Sequence, residues 1–81
     1  MQKTLRILYF AAFRESAGTG EETVLSSAMT AADLYQEASR RHGIPYDPSI
    51  LRVALNDVVV PWSSPVNDGD TVVFLAPFAG G

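Results

Sequence analysis

The chain has 81 residues, no cysteine, one histidine and a formal net charge of −3. That length holds one hydrophobic core, and it must manage without the usual staples of a small domain, because no disulfide is available and a lone histidine makes a poor metal site. The acidic balance supplies no basic stripe to release counterions from phosphates and argues against nucleic acid; the polar opening MQKTLR lacks the apolar run of a signal peptide or membrane span, as expected of a soluble, cytoplasmic protein.

Residues 5–11, LRILYFA, are apolar almost throughout and predict a strand with little water on either face. The turn-forming run Ala-Gly-Thr-Gly at 17–20 leads into a shorter strand, EETVLS at 21–26, whose terminal charges suit a sheet edge. Thr30 followed by Asp33 resembles a capping box, with Asp where Glu or Gln is usual, and starts a helix. Ala31, Leu34, Tyr35 and Ala38 then share one face, while Gln36, Glu37, Arg40 and Arg41 take the other. Glu37 precedes Arg41 at the spacing that favours an ion pair. Gly43 and Pro45 end the helix, and His42 sits at its C-terminus, where a cation is mildly favoured. Residues 43–50, with two prolines, read as a packed loop. Short strands at 52–55 and 58–60 flank Asn56-Asp57, a pair tolerant of positive φ and suited to a tight hairpin. Asn67-Asp68-Gly69-Asp70 is a second turn, leading into the last strand, TVVFLA at 71–76. The turn also accounts for Asp68 and Asp70 better than an acid and base pair does. Trp62 is expected to pack over a sheet edge, Ser63-Ser64 lacks the partners a nucleophile needs, and Arg14 and Glu15 read as a solvated pair.

A helix after the first hairpin crosses over to cover one sheet face, and the two most apolar strands belong side by side in the middle. The expected fold is therefore α+β, a β-grasp or ubiquitin-like domain over residues 1–76, with a mixed sheet of four to five strands and one main helix on one face. Alternation puts Leu5, Ile7, Tyr9, Val72 and Phe74 under the helix and Leu8, Phe10, Val73 and Leu75 on the other side. That second side calls for cover, either from the loops at 44–51 and 61–66 or from a protein partner.

The last five residues, 77–81, are expected to form a flexible arm. Pro77 has no amide hydrogen and ends the sheet ladder; Phe78, Ala79, Gly80 and Gly81 follow. From Ala76 the extended chain reaches about 20 Å at roughly 3.3 Å per residue, and two glycines let an arm pass a narrow channel; a frayed terminus of small residues has the same composition. A carboxylate at its end, with a pKa of about 3.5, is ionised and unreactive until activated. Adenylation makes it an anhydride that a sulfur nucleophile can convert to a thiocarboxylate. Without cysteine, the chain has no side-chain thiol on which to carry sulfur as a persulfide.

The stretches ILYFAAFRE at 7–15, VALNDVVV at 53–60 and DGDTVVFLAPFAGG at 68–81 resemble the small sulfur-carrier subunit of molybdopterin synthase, the MoaD type of the ubiquitin-like MoaD/ThiS sulfur carriers. Departures are Ala76-Pro77 in place of two prolines and Phe78-Ala79 in place of Val-Ser or Val-Thr. The stretch Val59-Val60-Pro61-Trp62 is also similar to the thiamine-pathway carrier. The resemblance implies a protein with no bound cofactor or metal that is not an enzyme by itself. An activating enzyme uses ATP to adenylate Gly81 and sulfur transfer makes the thiocarboxylate. The arm then enters the large catalytic subunit, in an expected heterotetramer, and gives sulfur to cyclic pyranopterin monophosphate to form the molybdopterin dithiolene. It implies partner contacts at Phe10, Val59 and Leu75. Sulfur delivery to thiamine thiazole or cysteine synthesis, attachment to target lysines as a protein modifier, and a binding module with an idle tail are the alternatives.

Overall fold

Leu5, Ile7, Val72 and Phe74 recur at every second position of two apolar segments, and none is more than 1% exposed. The strands that carry them lie side by side because each is apolar enough to be flanked on both edges. The computed structural model describes residues 2–76. In chain order these form β1 (Lys3–Leu8), α1 (Ala11–Ala17), β2 (Glu21–Ser26), α2 (Ala31–His42), a 3-10 turn (Pro48–Ile50), β3 (Arg52–Leu55), β4 (Val58–Val60) and β5 (Thr71–Leu75). One mixed sheet of five strands runs in the order β2-β1-β5-β3-β4, with β1 and β5 parallel and every other pair antiparallel. This is the expected β-grasp, with β2 at one edge and β4 at the other.

The first strand is shorter than its apolar run. It stops at Leu8, and the residues after Phe10 wind into α1 instead of continuing to residue 11. Ala11 makes the corner at φ 49, a left-handed conformation costing an alanine about 1–2 kcal/mol. Gly18 closes the helix at φ 75, and its amide donates to the Arg14 carbonyl. Apolar residues at 9–13 supply no boundary signal, because α1 sends Phe13 into the same core that β1 borders.

The second helix forms where its cap and periodicity place it. The Asp33 amide donates to Thr30 Oγ1 at 3.2 Å, and the Thr30 amide donates to Asp33 Oδ2 at 3.2 Å, so Asp completes the capping box. Ala31, Leu34, Tyr35 and Ala38 are buried against the sheet, and Gly43 ends the helix at φ 65. The Glu37–Arg41 pair does not form. Glu37 instead accepts from Ser26 Oγ at 2.7 Å, and Arg41 donates to Glu22 across to β2. Contacts to another element hold both side chains more firmly than an exposed intrahelical pair, worth about 0.3–0.5 kcal/mol.

Both helices cover the same sheet face. Phe13, Tyr35 and Trp62 surround Phe74 at ring-centroid distances of 6.2, 5.0 and 6.1 Å. Trp62 thus reaches past the sheet edge to the central strand. Ile44, Leu51 and Val66, from the two loops that might have covered the opposite face, also join this core. Truncating a ring such as Phe74 to Ala costs about 3–5 kcal/mol.

Two polar turns fix where β5 begins. Asn56 and Asp57 adopt φ 50 and 72 between β3 and β4, and Gly69 takes φ 89 just before β5. Asn56 Nδ2 donates to Asp70 Oδ1 at 2.9 Å, while Asn56 Oδ1 accepts from the Thr71 backbone amide at 3.0 Å. Asp70 Oδ2 accepts from the Asn67 amide at 2.8 Å, and Asp68 Oδ1 from the Thr4 amide at 2.7 Å. Both carboxylates are taken up in structure, Asp68 tying this turn to the first strand and Asp70 tying it to the turn between β3 and β4.

Candidate functional site

With α1, α2 and the loops on one face, the outward positions of the sheet have, among the described residues, only each other for neighbours. Strand register lines them up. Leu8 stands opposite Val73, Val73 opposite Ala54, and Ala54 opposite Val59, so one apolar row crosses β1, β5, β3 and β4. Ala54, in the middle of this row, is 7% exposed, whereas Val59 on the edge strand is 59% exposed. In the next row Leu75 stands opposite Arg52. Phe10, extended at φ −121 and ψ 155 two residues beyond Leu8, faces the same side by alternation and is 56% exposed. The left-handed turn at Ala11 directs the chain away immediately after it.

The remainder of this face is mostly polar, apart from Leu25, which stands opposite Thr4 and is 68% exposed. Thr23, Arg6 and Thr71 form the row on the other side of Leu8 and Val73. Arg6 Nε donates to Glu21 Oε2 at 2.7 Å, and that hydrogen bond, with the positive charge, holds the Glu21 carboxyl below its ordinary range. The face therefore divides, with its apolar half beside the end of β5 and its polar half beside the beginning. A contiguous apolar area with a polar border is the usual composition of a protein-binding surface.

Phe10, Val59 and Leu75, the three residues picked out by resemblance, lie together on the apolar half. Sequence alternation assigned Phe10 and Leu75 to it, and the β3–β4 register adds Val59. Arg52 was overlooked, although the alternation Arg52, Ala54 in β3 puts both on one face. Its side chain is exposed, donates to its neighbour's carbonyl (Leu51 O, 3.0 Å), and makes no ion pair among the described residues. The arm residues Pro77, Phe78, Ala79, Gly80 and Gly81 lie outside the described residues.

A second polar cluster ties the sheet edge to the end of α2. Glu22 Oε1 accepts from the Tyr9 hydroxyl at 2.9 Å and from Arg41 Nη2 at 3.0 Å, and His42 Nε2 lies 3.0 Å from the same oxygen. Burial pushes the Glu22 carboxyl up, but the hydrogen bonds from His42, Arg41 and Tyr9 outweigh it and hold the group below its ordinary value. Burial, reinforced by Glu22, raises the Tyr9 phenol well above its usual range. Among the described residues no buried side-chain nitrogen or oxygen lacks a hydrogen-bond partner, as expected of a structural tie. No group of three or more potential ligands among the described residues could hold a metal, and none of their helices is long and apolar enough to cross a membrane.

Comparison with known proteins matches the ThiS family model to residues 7–81, which takes in the end of β1, the other four strands, both helices and the glycines at 80 and 81. The chain belongs to the ThiS family. This ThiS-family chain is 32% identical over 80 residues to the molybdopterin synthase sulfur carrier subunit of Escherichia coli (strain K12), covering 95% of the chain and 99% of that protein. Its structure matches a putative molybdopterin converting factor, subunit 1, from Pyrococcus furiosus with a TM-score of 0.76 and 30% identity, over 93% and 98% of the two chains. Two solved structures of lower identity share the fold: small archaeal modifier protein 1 from Methanosarcina acetivorans (TM-score 0.78, 17% identity, 100% and 99% covered) and the complex of subunits 1 and 2 of the molybdopterin-converting factor from Helicobacter pylori 26695 (0.63, 23%, 96% and 99%).

Proposed function

We propose that this ThiS-family chain is the sulfur carrier subunit of a molybdopterin synthase, a non-catalytic partner that presents Gly81 to a larger catalytic subunit. One observation carries the reading: the apolar half of the uncovered sheet face, with Phe10, Val59 and Leu75, surrounds the end of β5, six residues before Gly81. A protein that covers this face also receives whatever the arm presents. Support comes from the E. coli relative, a sulfur carrier subunit by name, and from the H. pylori complex, in which a chain of this fold is paired with a second subunit.

In this role an activating enzyme spends ATP to join the Gly81 carboxylate to AMP, releasing pyrophosphate. A sulfur nucleophile then displaces AMP and leaves a thiocarboxylate. Inside the large subunit the terminal sulfur passes to cyclic pyranopterin monophosphate and the carboxylate returns; two deliveries complete the dithiolene. The carrier binds no cofactor itself, and the expected assembly is a heterotetramer in the cytoplasm. The scaffold contributes rigidity and recognition, since the reacting atoms belong to the main chain.

The test is the intact mass of the chain after incubation with its activating enzyme, ATP and a sulfur donor. The expected result is exchange of one oxygen for sulfur at Gly81, lost again on incubation with the large subunit and cyclic pyranopterin monophosphate. An unchanged mass refutes the reading. Lysine-linked species of higher mass in a denaturing gel would instead assign the chain to protein modification.

A further inference from the structure

Within the apolar half of the open face a single charge stands out. Arg52 lies directly across from Leu75, the last residue of β5, beside the row of Val73, Ala54 and Val59. The other open-face arginine, Arg6, is held by Glu21 at 2.7 Å. Arg41, on the helix side, is held by Glu22 at 3.0 Å. Among the described residues Arg52 donates only to the carbonyl of Leu51, which uses one of its five donors. Covering this surface with a purely apolar partner would strip water from a guanidinium and leave it uncompensated, a loss comparable to breaking a buried pair. A partner that binds here must answer the charge.

We propose that Arg52 is a specificity-determining residue of the interface, and that the large subunit receiving the arm sets a carboxylate, from an aspartate or a glutamate, against it. The inference rests on the functional reading above and extends it by naming the chemistry required of the partner. Arginine suits the position because its planar fork pairs with a carboxylate through two parallel hydrogen bonds. Its place beside the end of β5 also gives the pair a second use. A contact beside Leu75 holds the partner against the last residues of β5, next in sequence to the segment that carries Gly81.

The experiment measures binding of the full chain to its own large subunit by calorimetry at low and high salt, with wild type, Arg52→Lys, Arg52→Ala and Arg52→Glu. Arg40→Glu serves as a control of equal charge change on the exposed face of α2. Thermal melting of each variant confirms folding. Arg52→Ala is expected to weaken binding about 10-fold and Arg52→Glu roughly 100-fold, within the range for desolvated charge pairs at interfaces. Arg52→Lys should retain part of the affinity, Arg40→Glu should bind as wild type, and Arg52→Ala should lose part of the salt dependence. If wild type binds and Arg52→Glu binds equally well, the inference about Arg52 is overturned while the functional reading stands. If Arg40→Glu weakens binding as much as Arg52→Glu, the effect is one of overall charge and the local pair is refuted. Failure of the wild-type chain to bind the large subunit overturns both.

Discussion

Replacing Glu22 tests whether the cluster at the end of α2 is a structural tie. The Tyr9 hydroxyl belongs to a residue only 1% exposed, and its only acceptor among the described residues is Glu22 Oε1. Glu22→Ala removes that acceptor and leaves a buried donor without a partner, which costs about 1–3 kcal/mol. The lost contacts with His42 and with Arg41, whose side chain is 39% exposed, together add about 1 kcal/mol. A total of about 2–4 kcal/mol lowers Tm by roughly 10–30 °C for a domain of this size. Glu22→Gln keeps an acceptor for Tyr9 and loses only the charge, so it should cost about 1 kcal/mol. In a Tyr9→Phe background, where no hydroxyl is left stranded, Glu22→Ala should cost about 1 kcal/mol or less. Thermal melts followed by circular dichroism measure all four variants. The pH dependence has a definite sign. The folded-state pKa of Glu22 lies below its unfolded value of 4.5, so its stabilisation is complete above that pH and is lost as pH falls through the depressed folded value. The difference between wild type and Glu22→Gln should therefore shrink on acidification below about pH 4.5. Equal losses from Glu22→Ala with and without the Tyr9 hydroxyl would refute the reasoning.

Thr30→Ala removes half of the capping box and should cost about 1 kcal/mol, read as a drop in urea midpoint with the slope unchanged. Asp57→Gly should raise stability by about 0.5–1 kcal/mol, because Asp57 holds φ 72, where glycine carries no Cβ penalty; a lower melting temperature would contradict this. Val59→Asp puts a charge on an edge residue 59% exposed, so melting should move little while affinity for the large subunit falls about 10-fold or more, measured by calorimetry.

The sequence was most legible where turn chemistry bounds a strand. Glu21–Ser26, Arg52–Leu55 and Val58–Val60 begin and end where expected, since Gly20, the Asn56-Asp57 pair and Pro61 leave the chain little choice. The end of β1 carries no such punctuation. Tyr9, Phe10 and Ala11 continue an apolar run, and only the backbone angle at Ala11 separates strand from helix. A helix of seven residues with one buried side chain is also too short to display a period. The faintest usable sign of α1 was Gly18, a C-cap glycine after Ala, Arg and Glu. Partners across elements were hidden for a different reason: local spacing favours Glu37 with Arg41, whereas the fold brings Ser26 and Glu22 to them. The open face was legible from alternation in β1 and β5, but the row through Ala54 to Val59, and the position of Arg52 beside Leu75, required the register of β3.

The parallel pairing of β1 with β5 sets when the domain can exist during synthesis. Arg6 faces Thr71 and Leu8 faces Val73, so the strand made last must slot into the centre of the sheet between β1 and β3. A ribosome that has not yet released β5 holds only two disconnected hairpins, with the long loop between them still to be closed. Completion of the sheet therefore waits on β5, and a chain cut short before Thr71 has neither a closed core nor a finished open face.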